Sequence, residues 1–297
     1  MITFVGMRSR SSGQVRGVQI APEVGGNFFD ADTNSFLGTP GFHKTVIFVR
    51  RFLPDLASKL KNQGCIIGYD VIDMPVANLH REQSRSPDTT EIDWKTVTNN
   101  LIDFYIVNNR KSKERLTPAV SDVTRIFVIP HHCANKEVTF KKKQAIQTVG
   151  YIGLPDQLHC KDEIKSYVNS LGLSFFEGHP RDLRECQEMI DKIDVGVIFL
   201  ERNNRTGYVL DYKPNQKLSN FQCAGIPTVC SEYESFKEFG GNAYLPANSL
   251  NDLKTALGLV CKDKDFRDEL VKRGHQAAES VLLKNIANDY RKLLRAI

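Results

Sequence analysis

The chain has 297 residues, of which 41% are hydrophobic and 25% are charged, so it can form two globular domains and is neither fibrous nor disordered. Its net charge of +5 is mild for this length and does not by itself indicate a nucleic-acid partner, because an anionic small ligand would suffice. Seven cysteines without C-x-x-C spacing indicate neither a disulfide framework nor a zinc site. They favour a reducing compartment.

The beginning of the chain carries no sign of a targeting segment. Met1 leads directly into an apolar run, without a basic region and a cleavage site. Elsewhere no apolar run approaches the length of a membrane span. We therefore expect a cytoplasmic protein without a transmembrane segment.

Short apolar runs alternate with segments of helical period, which is typical of parallel strands joined by crossover helices and predicts an α/β fold. The strands predicted in the first half are Ile2–Gly6, Thr45–Val49, Cys65–Val71, Phe104–Val107 and Ile126–Ile129. The helices predicted between them are Gln14–Val24, Leu53–Asn62, Trp94–Leu101 and Lys111–Val120.

The second half repeats this alternation. Its predicted strands are Thr148–Ile152, Ser174–Glu177, Val195–Leu200 and Thr228–Cys230. Its predicted helices are Asp156–Leu171, Arg181–Lys192, Lys217–Ala224 and, after the N-cap Ser249, most of residues 250–297.

A segment without strong periodicity, residues 135–147, separates the halves and contains Lys141, Lys142 and Lys143. We predict domains at 1–140 and 141–297, with the terminal helices in the second. Two such domains would face each other across a cleft. Because open α/β sheets bind ligands at the carboxyl ends of their strands, functional residues should lie in the loops that follow strands.

The first such loop is Met7–Gly17. Its small residues favour a turn that exposes backbone N–H groups, and these are Ser11, Ser12 and Gly13. Its positive charges are Arg8, Arg10 and Arg16. The combination suits a phosphate or a polar acceptor, and a solvated basic turn is the alternative. The loop lacks the G-x-G-x-x-G pattern of dinucleotide-binding proteins.

Other strand ends of the first domain offer acid–base groups. Asp70 and Asp73 are candidates for a general base, or they cap the turn before the proline that follows. His131 and His132 follow the last strand, and adjacent residues of an extended segment point in opposite directions, so the pair does not predict a metal site. His132 is a candidate catalytic residue, with a structural histidine as the alternative.

In the second domain, Gly150 and Gly153 flank the end of the first strand, where a backbone must pass close to a nucleotide or to packed neighbours. The long polar segment over residues 201–217 is typical of a functional loop. At its end, Lys213 or Lys217 could neutralise a diphosphate, and Ser219 could hydrogen-bond it beside a helix N-terminus. The alternative for the lysines is a solvated face.

These residues resemble a known family. The segment KPNQKLSNFQCAGIPTV is similar to the donor-site segment of GT-B glycosyltransferases, particularly the retaining enzymes of family 4 and their capsule and lipopolysaccharide relatives. Weaker matches follow in order along about 80% of the chain, namely SSGQVRGVQIA, CIIGYDVIDMP, VIPHHCANKE, VGYIG and IDVGVIFL. The resemblance implies two Rossmann-like domains and the transfer of a sugar from a nucleotide diphosphate sugar to an acceptor.

The resemblance also implies residue roles. Lys213 and Lys217 would face the diphosphate, Gly153 would lie near the phosphates or the sugar, and Gly13 and Arg16 would lie on the acceptor side. Relatives usually carry two glutamates where this chain has Tyr212 and Asn220, so Asn220 would bond sugar hydroxyls more weakly. The implied chemistry needs no metal and no cofactor, because lysines and helix dipoles balance the charge of the leaving group.

Three other functions stay open. A nucleotide-sugar-binding protein without catalysis would explain Tyr212 and Asn220. A sugar-nucleotide epimerase can use the same architecture. A glycosyltransferase that modifies DNA would use the arginines of Met7–Gly17 and the three consecutive lysines along a phosphate backbone. The acceptor is accordingly expected to be a glycan, a lipid or modified DNA.

Overall fold

The computed structural model of the protein describes residues 1–72, 100–120, 122–134, 145–200 and 211–297. Several predictions fall outside these residues: Asp73, the lysines at 141–143, most of the helix predicted over 94–101, and the polar segment at 201–210. The chain forms two compact units. The first comprises Met1–His131, Gly207–Pro214 and Leu283–Ile297, and the second comprises His132–Thr206 and Asn215–Leu282.

The predicted division into 1–140 and 141–297 differs from these units at the boundary, which lies between His131 and His132, and in two later segments. Residues 207–214 return to the first unit before the chain continues in the second, and so does the last helix, Leu283–Ala296. This helix packs its apolar side on the first unit, with Tyr290 fully buried and edge-on to Phe4 at 5.4 Å between ring centroids. Amphipathic periodicity predicts such a helix but does not say which core it covers.

The first unit is built on one sheet, whose strands in spatial order are β3-β2-β1-β4-β5-β6-β7. The strands are β1 (Ile2–Gly6), β2 (Asn27–Asp30), β3 (Ser35–Leu37), β4 (Thr45–Val49), β5 (Ile66–Val71), β6 (Phe104–Val107) and β7 (Ile126–Val128). All neighbours pair in parallel except β2 and β3. The central strands are buried along their length, as expected for a parallel sheet covered on both faces.

The helices of the first unit are shorter than predicted. They are α1 (Ser11–Gly13), a π-helix (Gln14–Val18), α2 (Ile20–Glu23), α3 (Pro54–Asn62), α4 (Arg110–Leu116) and 3₁₀ turns at Thr117–Ala119 and Val123–Arg125. The single helix predicted over Gln14–Val24 is therefore interrupted. Pro22 contributes, because it has no N–H to donate to the carbonyl four residues earlier.

The second unit has a five-stranded parallel sheet in the order β12-β11-β10-β8-β9. Its strands are β8 (Thr148–Ile152), β9 (Ser174–Gly178), β10 (Val195–Ile198), β11 (Thr228–Cys230) and β12 (Leu245–Pro246). Its helices are α5 (Lys161–Ser170), α6 (Leu183–Ile190), α7 (Gln216–Cys223), α8 (Glu234–Gly240), α9 (Leu250–Lys262) and α10 (Lys264–Glu279), with a 3₁₀ turn at Pro155–Gln157. The last helix of the chain, Leu283–Ala296, is α11.

Most predicted strands of both halves are confirmed, and the predicted N-cap Ser249 accepts a hydrogen bond from the Asp252 N–H at 3.1 Å. The α/β fold class is confirmed. Within the described residues no helix is long and apolar enough to span a membrane. The seven cysteines are free thiols.

Candidate functional site

The strand order of the second unit marks one loop for ligand binding. The first strand, β8, has β9 on one side and β10 on the other, so the crossovers leave it in opposite directions. In parallel sheets such a topological switch point opens a crevice at the carboxyl ends of the strands. Gly153 follows β8 directly and therefore lies at this point.

The side chain of Lys217 lies against this loop. Lys217 is in the first turn of α7, and its Nζ donates to the Tyr151 hydroxyl at 2.9 Å. The same ammonium lies 4.5 Å from the centroid of the Tyr151 ring. Lys217 is half-buried, whereas Tyr151 is completely buried. The structure thus brings together two of the predicted donor residues, Lys217 and Gly153.

Gly153 leaves the space that this ammonium occupies. A Cβ on residue 153 would lie 2.0 Å from the Lys217 Nζ and 2.4 Å from the Tyr151 hydroxyl oxygen, far inside contact distance. The Gly153 N–H donates to the Gly178 carbonyl at 2.8 Å, which fixes the loop against β9. The glycine is therefore needed for the close approach of a lysine side chain, and a nearby anion would meet a positive charge there.

The start of α7 adds to the positive potential. The Ser219 N–H donates to the Asn215 carbonyl at 3.0 Å, so the positive end of the helix dipole lies at the turn that contains Lys217. A helix N-terminus and an ammonium group together suit a phosphate. The geometry supports anion binding here.

Ser219 and Asn220 have internal partners instead of open surfaces. The Ser219 hydroxyl accepts from the Asn215 amide at 2.7 Å, and Ser219 is 2% exposed. The side-chain amide oxygen of Asn220 accepts from the Ala134 N–H at 2.9 Å, and Asn220 is 8% exposed. These bonds stabilise the second unit, and the predicted contacts of both side chains with a donor stay a prediction.

Lys213 and Tyr212 belong to the segment that returns to the first unit. Tyr212 is fully buried in the core of that unit, and its carbonyl accepts from the Asn108 amide at 2.5 Å. Asn109 also binds this segment, since its amide donates to the Asp211 carbonyl at 2.8 Å. Tyr212 is thus a core residue. Lys213 is half-buried, and its role toward a diphosphate stays a prediction.

In the first unit, Arg16 and Asp70 form a buried ion pair. The Arg16 Nε donates to one carboxylate oxygen at 2.7 Å and its Nη2 to the other at 3.2 Å, and both side chains are 0% exposed. Arg16 also donates to the Pro130 carbonyl at 2.7 Å, and the Tyr290 hydroxyl donates to Asp70 at 3.3 Å. Burial disfavours the guanidinium charge, but the Asp70 carboxylate outweighs it and raises the pKa of Arg16.

This geometry corrects two predicted roles. Asp70 was expected as a general base and Arg16 as an acceptor-binding residue, but each has the other as its partner and neither reaches the surface. A base must come within hydrogen-bond reach of the proton that it removes. The pair is therefore a structural element that ties the π-helix to β5 and α11.

The loop Met7–Gly17 is also more constrained than the sequence predicts. A Cβ on Gly13 would lie 2.1 Å from the Met7 carbonyl oxygen, so this glycine serves a close approach of backbone to backbone. Ser12 is 6% exposed. The exposed part of the loop is bonded to two side chains of its own chain, because the Arg8 N–H donates to Asp30 at 3.2 Å and the Ser9 hydroxyl donates to Asp32 at 2.6 Å.

The exposed Asp32 carboxylate offsets part of the positive charge of the exposed Arg8 and Arg10. Asp30 is the last residue of β2 and Asp32 lies just after it, and the sequence did not reveal this strand. Their positions became clear only from the pairing of β1 with β2.

His131 and His132 are both buried, at 1% and 0% exposure. A fully buried imidazole offers no atom to an external substrate, so the structure does not support the predicted catalytic role of His132. Within the described residues there is no group of three or more His, Cys, Asp or Glu side chains that could hold a metal ion.

Comparison with solved structures identifies the fold. No protein-family model matches the sequence, and no curated protein matches it. Among solved structures, HepE of Anabaena in complex with UDP and glucose matches with a TM-score of 0.68 at 11% identity, over 100% of this chain and 99% of that chain. The chain has the GT-B fold.

Other GT-B structures match less completely. Sucrose-phosphate synthase from Thermosynechococcus elongatus gives a TM-score of 0.54 at 15% identity over 86% of this chain and 75% of that chain. The pneumococcal O-GlcNAc transferase GtfA, in complex with UDP and GlcNAc, gives 0.53 at 16% identity over 85% and 56%. The predicted GT-B architecture is therefore confirmed.

Sequence reasoning missed Tyr151. The signal was its place in the first strand of the second domain, two residues before Gly153, where side chains near the carboxyl end of the strand approach the ligand crevice. A buried tyrosine is usually counted as core, so this position alone would not have indicated a partner for Lys217.

Proposed function

We propose that this protein is a glycosyltransferase that moves a sugar from a nucleotide diphosphate sugar to an acceptor hydroxyl. The observation that carries the proposal is the Lys217 ammonium at the switch point of the second unit, beside Gly153 and the N-terminus of α7. The GT-B fold supports the same reading, as do the UDP and UDP-glucose complexes of HepE. A UDP-sugar is therefore the first donor to test.

In the proposed reaction, the bond between the anomeric carbon and the diphosphate oxygen breaks, and the acceptor oxygen forms a new bond to that carbon and releases its proton. Negative charge then accumulates on the departing nucleoside diphosphate. Lys217 and the helix N-terminus stabilise this charge by electrostatics and need no metal for it. Seven free thiols are consistent with a reducing, cytoplasmic setting.

For the acceptor we propose a hydroxyl of a glycan or a lipid-linked sugar. At the exposed part of the loop after β1, the exposed carboxylate of Asp32 can accept hydrogen bonds from hydroxyl groups, whereas Asp30 is buried and bonded within the chain. Modified DNA is the less favoured acceptor, because the net charge of the chain is only +5. Transfer to hydroxylated DNA that falls steeply with salt would reverse this preference.

The test of the function is turnover of UDP-sugars by wild type and two lysine variants. Lys217→Ala should lower the release of UDP roughly tenfold or more, because a charge-assisted contact to the leaving group is lost. Lys254→Ala is the matched control, since Lys254 also lies near a tyrosine ring of the second unit but on α9. Equal turnover in all three proteins would contradict the proposal.

A binding protein without catalysis is the second candidate. Tyr212 and Asn220 favour it, because they stand where relatives are expected to carry glutamates. The Tyr212 side chain lies in a core, and the Asn220 side chain makes an internal hydrogen bond. Calorimetric titration with UDP-glucose and UDP-GlcNAc separates the two functions when it is combined with the turnover assay. Tight binding without release of UDP in the presence of varied acceptors would favour the binding protein.

A further inference from the structure

The contact between Tyr151 and Lys217 gives the proposed donor site a residue that no sequence pattern assigned. We propose that Tyr151 is a positioning residue, which holds the Lys217 ammonium at the carboxyl end of β8 where the diphosphate of the donor would lie. This inference rests on the proposed function for the identity of the ligand. The contact itself is a property of the second unit alone.

The hydroxyl group of Tyr151 is fixed by two hydrogen bonds of opposite sense. It donates to the Leu154 carbonyl at 3.2 Å, so its lone pairs are directed to other neighbours. Lys217 donates to it at 2.9 Å, and the direction is certain because an ammonium group has no acceptor. Tyr151 thus connects the loop after β8 to the first turn of α7.

The ring itself is rigidly placed. Tyr151 is 0% exposed in a central strand, where it pairs with Glu177 of β9. The Lys217 Nζ lies 4.5 Å from the ring centroid, within the range of a cation–π interaction. A lysine has four rotatable side-chain bonds, and holding its ammonium in advance lowers the entropy lost when an anion binds.

The protonation state of Tyr151 suits this role. Burial raises the pKa of the Tyr151 phenol, and the nearby carboxylates of Asp156 and Glu177 raise it further. The hydroxyl therefore keeps its proton at neutral and moderately alkaline pH. A neutral phenol orients the ammonium without cancelling its charge.

The second unit contains a matched pair that lacks this setting. Lys254 on α9 lies 5.9 Å from the ring centroid of Tyr167 on α5, so the residue types are the same. Tyr167 is a helical residue away from the end of β8 and only half-buried. Substitutions in this pair control for the general effects of losing a phenol or an ammonium.

The test is a double-mutant cycle on the affinity for UDP, measured by calorimetry in the full chain. Tyr151→Phe keeps the ring and loses the hydrogen bond, and should weaken binding about fivefold; Tyr151→Leu loses both and should weaken it more than tenfold. In a Lys217→Met background, either substitution should change the affinity less than about twofold, because Tyr151 acts through Lys217. Tyr167→Phe should have no effect in either background.

Thermal unfolding of each variant separates positioning from folding, and Tyr151→Phe is the variant that keeps the packing of the core. Equal losses of affinity with and without Lys217, or an unchanged affinity in Tyr151→Leu, would overturn the proposal. If Tyr151→Leu also lowers the unfolding temperature, the decision rests on Tyr151→Phe, whose loss of UDP affinity should still depend on Lys217.

A second measurement needs no ligand. The chain is labelled with ¹³C at the lysine Cε atoms, and the NMR signal of Lys217 is assigned as the one that disappears in Lys217→Arg. The ring current of Tyr151 should move the chemical shift of this signal away from those of exposed lysines. The shift should persist in Tyr151→Phe and vanish in Tyr151→Leu. An unchanged signal in Tyr151→Leu overturns the inference. A wild-type chain that neither binds nor turns over a UDP-sugar contradicts the proposed function. The NMR experiment then still tests whether Tyr151 holds the Lys217 ammonium, because it needs no ligand.

Discussion

Two cations near the ends of the first strands of the two units lie in opposite situations. After β1, Arg16 is buried and bound to the Asp70 carboxylate through two hydrogen bonds. Lys217 lies in the first turn of α7, and its half-buried ammonium contacts the neutral Tyr151 hydroxyl at the end of β8. A buried cation with a carboxylate partner stabilises a fold, whereas a half-buried cation at a switch point is placed to meet an anion. In the sequence both residues appear as basic groups near a strand end, but in the structure their partners and their burial differ.

The largest expected effect is on the stability of the first unit. Arg16→Met leaves the Asp70 carboxylate buried without its partner, which should lower the free energy of unfolding by about 3–5 kcal/mol. Urea denaturation measures this change. Replacing both residues, as in Arg16→Met with Asp70→Leu, should restore part of the loss because no charge is left buried.

The control for this variant is Arg184→Ala, which breaks the Arg184–Glu188 pair whose side chains are 88% and 56% exposed. Pairs on the surface contribute little, so its unfolding midpoint should stay that of wild type. If Arg16→Met folded as stably as wild type and only lost activity, Arg16 would be a ligand-binding residue. The comparison between the two cations would then fail.

A smaller effect is expected from Gly153→Ala in the second unit. The new methyl group would lie 2.0 Å from the Lys217 Nζ, so the ammonium must move away from the end of β8. Affinity for UDP should fall about tenfold, or about 1.4 kcal/mol, as a charge-assisted contact is lost. Calorimetry measures the change.

Gly274→Ala serves as the glycine control, because a Cβ there meets the Gln222 side chain at an ordinary 3.4 Å. Its affinity for UDP should equal that of wild type. Full affinity in Gly153→Ala would mean that the diphosphate does not depend on the position of Lys217.

The smallest expected effect is a loss of folding stability at alkaline pH. We expect it to come from buried thiol and phenol groups and not from the Arg16–Asp70 ion pair. Burial raises the pKa of the Cys186 thiol to about 11 and that of the Tyr105 phenol to about 12. These groups ionise at their ordinary values of 9.0 and 10.0 in the unfolded chain, so the folded state binds more protons and stability falls as pH rises above about 9.

For Cys186 the expected loss between pH 8 and pH 10 is about 1 kcal/mol, which urea denaturation at the two pH values measures. Cys186→Ala should reduce this pH dependence by that amount. Arg16 should not contribute, since its pKa is raised. A pH dependence that disappeared in the Arg16→Met variant instead would assign the alkaline loss to the ion pair.

Much of the fold was predictable because a buried strand appears in the sequence as a short run of apolar residues, which is a local pattern. The predicted bounds of β1, β4, β6, β8 and β11 agree with the structure at both ends. The hairpin of β2 and β3 was missed, since Asn27–Asp30 is short and buried throughout and shows no alternation of apolar and polar residues. Its turn contains Asn34 at a φ of 52°, a conformation that asparagine tolerates.

The site was predictable only in part. Lys217 and Gly153 could be selected because a resemblance and the strand-end rule both point to them. Arg16 and Asp70 were assigned to a ligand because their pairing joins residues 54 positions apart, which no local pattern reveals. Burial decides whether a charged residue is structural or functional, and burial depends on which elements cover it, here the returning helix α11.

The central claim is that Lys217, and not Arg16, meets the donor's diphosphate. A crystal structure of the wild-type chain with UDP tests it most directly. We predict a phosphate oxygen within about 3 Å of the Lys217 Nζ, next to Gly153 and the first turn of α7, with the Arg16–Asp70 pair unchanged. A diphosphate bound away from Lys217, or one that displaces Asp70 from Arg16, would contradict this account.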